Sequence, residues 1–135
     1  GLGAPVGSAL LSSIENIKLA KRYRKIFGGA MRQVGYLAAA CIYALDNHVD
    51  RLTIDHQHAA EIADIFQNKD YVAKIHFEGT NIVIIELKDP TMVASKLAEW
   101  ETKGILAVPF GKGKIRFVTH LGINHDMIET MKGLV

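Results

Sequence analysis

The chain opens Gly1-Leu2-Gly3-Ala4-Pro5-Val6-Gly7-Ser8, and the reading of these eight residues governs that of the whole chain. They are small and glycine-rich, and they pass directly into Ala9-Leu10-Leu11. Glycine has no Cβ, so backbone at such a position can approach a bound group closely or take a positive φ. A turn of that kind is expected beside a site, leading into a strand over Val6 to Ser12. No initiator methionine, signal peptide or polar leader stands before it. The expectation is a chain that begins partway through something longer.

Composition narrows the class. The 135 residues are 49% hydrophobic and 22% charged, which excludes a disordered chain. A net charge of +2 is too weak by itself to imply nucleic acid or a membrane surface. The longest apolar stretch, Val34 to Leu45, is too short for a membrane span and fits a buried helix. A single cysteine, Cys41, excludes an internal disulfide and suits a reducing compartment. A soluble cytoplasmic protein with no membrane partner is the expectation.

Working outward, Ser12 or Ser13 caps a helix from Ile14 to about Phe27. Its apolar residues Leu19, Ala20, Tyr23, Ile26 and Phe27 share one face, and Lys18, Lys21, Arg22 and Lys25 form a basic one. Gly28-Gly29 stops it. Ala30 to Leu45 is a second helix, apolar nearly all round, which needs a larger body to bury it. Val49 to Gln67 is a third, with Val49, Leu52, His56, Ala59, Ala60, Ala63 and Phe66 on its apolar face. The pattern then changes to strands at Tyr71–Phe77, Ile82–Leu87, Ile105–Pro109 and Lys114–His120. A helix from Pro90 to Thr102 lies between the two pairs, with Val93, Leu97 and Trp100 inward and a stop at Lys103-Gly104. Asn124 caps a last helix ending near Lys132. From about residue 50 the order is α-β-β-α-β-β-α, which suits a small antiparallel sheet with helices on one face. The fold class is therefore α/β in the opening part followed by an α+β domain. The expected boundary is near Asn47, dividing residues 1–47 from 48–135.

Two sets of residues could carry chemistry. In the strand around Arg116, Ile115 and Phe117 face one way while Arg116 and Val118 face the other. A mid-strand arginine needs an anion or water, and its planar fork suits a carboxylate. A solvent-facing arginine on an edge strand is the alternative. Lys25, Gly28, Gly29 and Arg32 form the second set: two cations around a glycine break and a new helix start, where free N–H groups favour an anion such as phosphate. A solvated basic face is the alternative there. His56 and His58 are two apart on a helix and make poor joint metal ligands, so no metal site is expected. His120 closes the Arg116 strand, with a structural role expected.

Several of these stretches together resemble one family. Gly1 to Ser8, Arg22-Tyr23-Arg24-Lys25, Gly28-Gly29-Ala30-Met31-Arg32-Gln33, Leu37-Ala38-Ala39-Ala40, Thr80-Asn81 and Arg116-Phe117-Val118-Thr119-His120 are similar to the low-specificity threonine aldolases. These belong to the β-eliminating lyase group of pyridoxal phosphate (PLP) enzymes with the aspartate-aminotransferase fold. Ala30 and Cys41 stand where glycines are usual. The resemblance implies retro-aldol cleavage of a β-hydroxy-α-amino acid, such as L-threonine or L-allo-threonine, to glycine and an aldehyde, acetaldehyde for threonine. It implies that Arg116 binds the substrate carboxylate, that Lys25 is catalytic, and that Gly1, Gly3 and Arg32 lie at the cofactor. It further implies a homotetramer, a dimer of dimers sharing active sites.

In that family the lysine holding PLP as a Schiff base directly precedes the Gly-Leu-Gly-Ala-Pro-Val-Gly-Ser stretch. The expectation is therefore a C-terminal portion, the end of the large domain plus the small domain, inactive without the N-terminal portion. Two alternatives stay open: a related PLP enzyme performing β-elimination or other Cα chemistry, and a basic binding module for nucleic acid or an acidic partner.

Overall fold

The computed structural model describes all 135 residues. They divide into two compact units, Gly3–Val49 and Asp50–Val135, with Gly1 and Leu2 grouped with the second.

The first unit carries two helices, α1 (Ile14–Ile26) and α2 (Gly35–His48). Ser13 caps α1, its Oγ accepting from the Asn16 N–H at 3.3 Å. At the other end Gly28, at φ 77°, donates to the Lys25 carbonyl, and Gly29 donates to that of Arg24. This paired closure is the Schellman arrangement, and the left-handed residue it requires explains the glycine. The strand expected over Val6–Ser12 is absent, and the stretch runs as irregular backbone. Apolar content alone does not make a strand: N–H and C=O groups need a neighbouring strand, and none of the sheet's strands pairs there. The second helix also starts later than Ala30, because Gln33 sits at φ 53° and breaks the helical path before Gly35. Apolar side chains remain uncovered across this unit, with Leu11 87% and Tyr36 86% exposed.

The second unit follows the order read from the sequence. Helix α3 (Leu52–Gln67) leads into β1 (Val72–Phe77) and β2 (Ile82–Leu87); a short 3-10 turn, Pro90–Met92, enters α4 (Val93–Thr102). Then come β3 (Val108–Pro109), β4 (Lys114–Val118) and α5 (His125–Leu134). The strands form one antiparallel sheet in the order β1-β2-β4-β3. β3 and β4 are shorter than Ile105–Pro109 and Lys114–His120 because only Val108 and Pro109 of β3 find partners on β4.

One face of the sheet is covered. Ile75, Phe77, Val83, Ile85, Leu87, Ile115 and Phe117 point into a core shared with Phe66 of α3, Trp100 of α4, and Ile128 and Met131 of α5. Phe66, Trp100 and Phe117 meet there as an aromatic cluster, with ring centroids 5.3–5.6 Å apart. The buried face of α3 is Asp55, His58, Ala59, Ile62, Ala63 and Phe66. His56, read from sequence as inward, is exposed. The face is rotated because Asp55 is accommodated in it: Arg51 of the preceding turn pairs with its carboxylate at 2.8 and 3.2 Å. No helix is long and apolar enough to cross a membrane.

Candidate active site

The other face of the sheet carries Arg116. Strand alternation places it opposite the buried Ile115 and Phe117, and β4 is an interior strand, so Arg116 has Ile84 of β2 on one side and Val108 of β3 on the other. The solvent-facing edge position is thereby excluded. The four strands carry a single carboxylate, Glu86. His76 Nε2 lies 2.7 Å from Glu86 Oε2, and Lys114 Nζ lies 3.6 Å from the same oxygen. The hydrogen bond from His76, aided by Lys114, holds the Glu86 carboxyl below its usual range. Glu86 is therefore engaged by two neighbours, and Arg116 forms no ion pair within the chain. Its Nε is buried without a hydrogen-bond partner. Phe110 lies against it, the ring centroid 5.4 Å from Cζ. A half-buried guanidinium with free N–H groups is a site waiting for an anion.

The end of β4 is fixed from two directions. Thr119 N–H donates to the Asn81 carbonyl at 2.9 Å, and Asn81 Nδ2 donates back to the Thr119 carbonyl at 2.9 Å. Thr119 Oγ1 donates to the carbonyl of Asp55 at 2.6 Å. His120 Nδ1 accepts from the Gly122 N–H at 3.0 Å, so it shapes the following turn.

The remaining sequence-predicted residues lie elsewhere. Lys25 is in the last turn of α1 and Arg32 in the connection to α2; both are exposed and neither forms an ion pair. The expectation of free N–H groups at the glycine break is corrected. The N–H groups of Gly28 and Gly29 are taken up by α1 carbonyls, and α2 begins three residues past Arg32. Gly3 has φ 72°, the left-handed backbone anticipated for the opening turn. Gly1 is exposed, with nothing within 4 Å of where a Cβ would lie. Gly7 packs on α2: a Cβ there would lie 3.2 Å from Cys41 Sγ, whose thiol donates to the Val6 carbonyl at 3.1 Å. The candidate residues thus fall on both units, Gly3, Lys25 and Arg32 in one and Gly1 and Arg116 in the other. Phe110, Asn81 and Thr119 as supports of Arg116 were not singled out from sequence. The Thr80-Asn81 and Arg116–His120 motifs held the signal for two of them.

The sequence profile of the beta-eliminating lyases matches residues 1–90, two-thirds of the chain. The chain belongs to the beta-eliminating lyase family. Among its relatives is the low specificity L-threonine aldolase of Escherichia coli (strain K12), 40% identical over 131 residues, covering 95% of this chain and 37% of that protein. Low-specificity L-threonine aldolase 1 of Arabidopsis thaliana is 37% identical over 123 residues, 89% of this chain and 34% of the relative. The chain thus spans a little over a third of the length of these relatives. The fold is that of the aminotransferase-type enzymes. An 8-amino-7-oxononanoate synthase from Francisella tularensis superposes with a TM-score of 0.65 over 93% of this chain and 39% of its own, at 17% identity. A transaminase crystallised with L-alanine gives 0.61 over 86% of this chain and 32% of its own, at 18% identity.

Proposed function

We propose that this lyase-family chain belongs to a PLP-dependent threonine aldolase, in which Arg116 grips the substrate carboxylate. The observation that carries the reading is the state of Arg116: an interior-strand guanidinium, Nε buried and unpartnered, on a face whose one carboxylate is held by His76 and Lys114. A bidentate carboxylate would satisfy the fork and fix the amino acid in one orientation.

The donor chemistry of the first unit fits an anionic cofactor. Lys25 and Arg32 supply two cations without ion-pair partners, and the turn at Gly3 keeps backbone free of a Cβ. In this reading Arg32, with Gly1 and Gly3, would hold PLP, and Lys25 would place a proton or a water at the reacting group, within one subunit or across a pair. When bound, PLP draws off the electron pair freed at the substrate Cα. The Cα–Cβ bond breaks, the β-hydroxyl loses its proton to give the aldehyde, and Cα gains a proton to give glycine. Arg116 acts by orientation, holding the carboxylate so that the bond to be broken keeps its alignment. By the family resemblance the lysine that carries PLP is not among these residues, and the 135 residues by themselves are expected to be inactive.

The test uses the full-length protein. Arg116→Ala should raise the KM for L-threonine about thirtyfold or more, the cost of removing one partner of a desolvated charged pair. PLP absorbance should persist. Unchanged kinetics would remove Arg116 from the site. Measuring glycine and acetaldehyde together separates aldol cleavage from β-elimination, which yields neither in that pairing.

A further inference from the structure

We propose that Phe110 is a positioning residue for Arg116, a brace that fixes the guanidinium plane while leaving its hydrogen-bonding edge free. This rests on the reading of Arg116 as the carboxylate-binding residue and names the part that sets its grip.

The contact is an aromatic ring beside the cation, 5.4 Å from centroid to Cζ, within the range of a cation–π interaction. Such a contact consumes no N–H group. A carboxylate brace would occupy the same donors that a ligand needs, whereas a ring holds the cation and leaves every donor available. It also removes water from one side of the guanidinium, which strengthens hydrogen bonds made by the rest.

The hairpin between β3 and β4 is built to keep Phe110 there. Val108 lies directly across from Arg116, two residues before Phe110. The Phe110 N–H donates to the Lys114 carbonyl at 2.8 Å, closing the turn. Gly111 and Gly113 take φ 67° and 73°, and Gly113 is seated so tightly that a Cβ would lie 3.1 Å from Pro90 Cβ. The Gly113 carbonyl accepts from the Leu87 N–H at 2.9 Å, which anchors the turn to β2. Phe110 itself is 42% exposed and absent from the hydrophobic core, so core packing does not account for an aromatic at that position.

The experiment compares Phe110→Leu and Phe110→Trp in the full-length holoenzyme, each alone and with Arg116→Ala. Two readouts are taken: kcat and KM for L-threonine, and the Kd of glycine by calorimetry. The expected result for F110L is an increase of about two- to fivefold in KM and in the glycine Kd, the strength of one exposed cation–π contact, with kcat retained. F110W should restore both to near the original values, and F110L should add nothing once Arg116 is alanine. Unchanged binding in F110L, or an equal loss in the Arg116→Ala background, overturns the proposal. A fall in kcat with KM unmoved and no rescue by tryptophan does the same. If Arg116→Ala weakens binding and F110L does not, only the role of Phe110 fails; if Arg116→Ala changes nothing, both assignments fail.

Discussion

Thr119 Oγ1 donates a 2.6 Å hydrogen bond to the main-chain carbonyl of Asp55, joining the end of the strand that carries Arg116 to the first turn of α3. Both residues are buried, Thr119 at 1% exposure and Asp55 at 0%. A hydrogen bond so enclosed fixes where the strand ends, three residues from the guanidinium.

Thr119→Val keeps the shape and removes the hydroxyl. The net loss should be about 1 kcal/mol, rising toward 2 if the displaced carbonyl is left without compensation. Thr119→Ser keeps the donor and should cost less than valine despite the lost methyl group. The check is the urea midpoint of the two variants at unchanged m-value; a valine variant as stable as the parent removes the bond from any structural role.

The ion pair one side chain away tests a different term. Arg51 Nη2 lies 2.8 Å from Asp55 Oδ1, with Arg51 19% exposed and Asp55 fully enclosed. Arg51→Met strands a buried carboxylate and should destabilise by about 3 kcal/mol or more. Adding Asp55→Leu removes the stranded charge, so the double variant should be more stable than Arg51→Met alone. Denaturation of the two variants decides it, and a double variant that is less stable would show that Asp55 has other partners.

These neighbours explain which parts of the molecule could be read in the sequence. The caps at Ser13 and Asn124, the stop at Lys103-Gly104 and the inward Trp100 were legible because each depends on a few adjacent residues. So was the direction of Arg116, since alternation along a strand needs no knowledge of its neighbours. Asp55 was missed because a charge on an apolar helix face is tolerated only with its partner one turn earlier. Phe110 was missed because its value depends on which residue of β4 lies beside it, a matter of register. Val6–Ser12 was over-read, since a strand is defined by the strand next to it.

Glu99 gives a pH test. Hydrogen bonds from Lys103 and then Lys96, each 2.8 Å, hold its carboxyl down to about 2. A folded-state value below the unfolded one adds stability that is complete above the ordinary glutamate range near 4.5 and disappears as pH falls toward 2. Over that window the unfolded chain binds the extra proton, so stability rises with pH. Glu99→Gln should therefore flatten the decline in Tm between about pH 4.5 and pH 2 while leaving the profile above pH 6 parallel to the parent. Because the carboxylate is on the surface, added salt should reduce the difference. Superimposable acid limbs for the two proteins would count against the pairing in solution.

The two glycines of the Phe110 hairpin separate backbone strain from crowding. Both hold left-handed backbone, φ 67° at Gly111 and 73° at Gly113, which costs an alanine about 1 kcal/mol or more. Around Gly111 nothing lies within 4 Å of a Cβ, so Gly111→Ala should show that backbone cost alone. At Gly113 the added methyl meets Pro90 Cβ at 3.1 Å and Pro90 Cα at 3.3 Å, on a ring and backbone that cannot swing aside. Gly113→Ala should therefore cost about twice as much or more, with the excess reporting the contact. Pro90→Ala in the same chain relieves only the ring side of the contact and should recover part of the excess. Equal losses in the two single alanine variants would mean that the turn moves away from Pro90 freely, and the hairpin would then be too loose to hold Phe110 against Arg116.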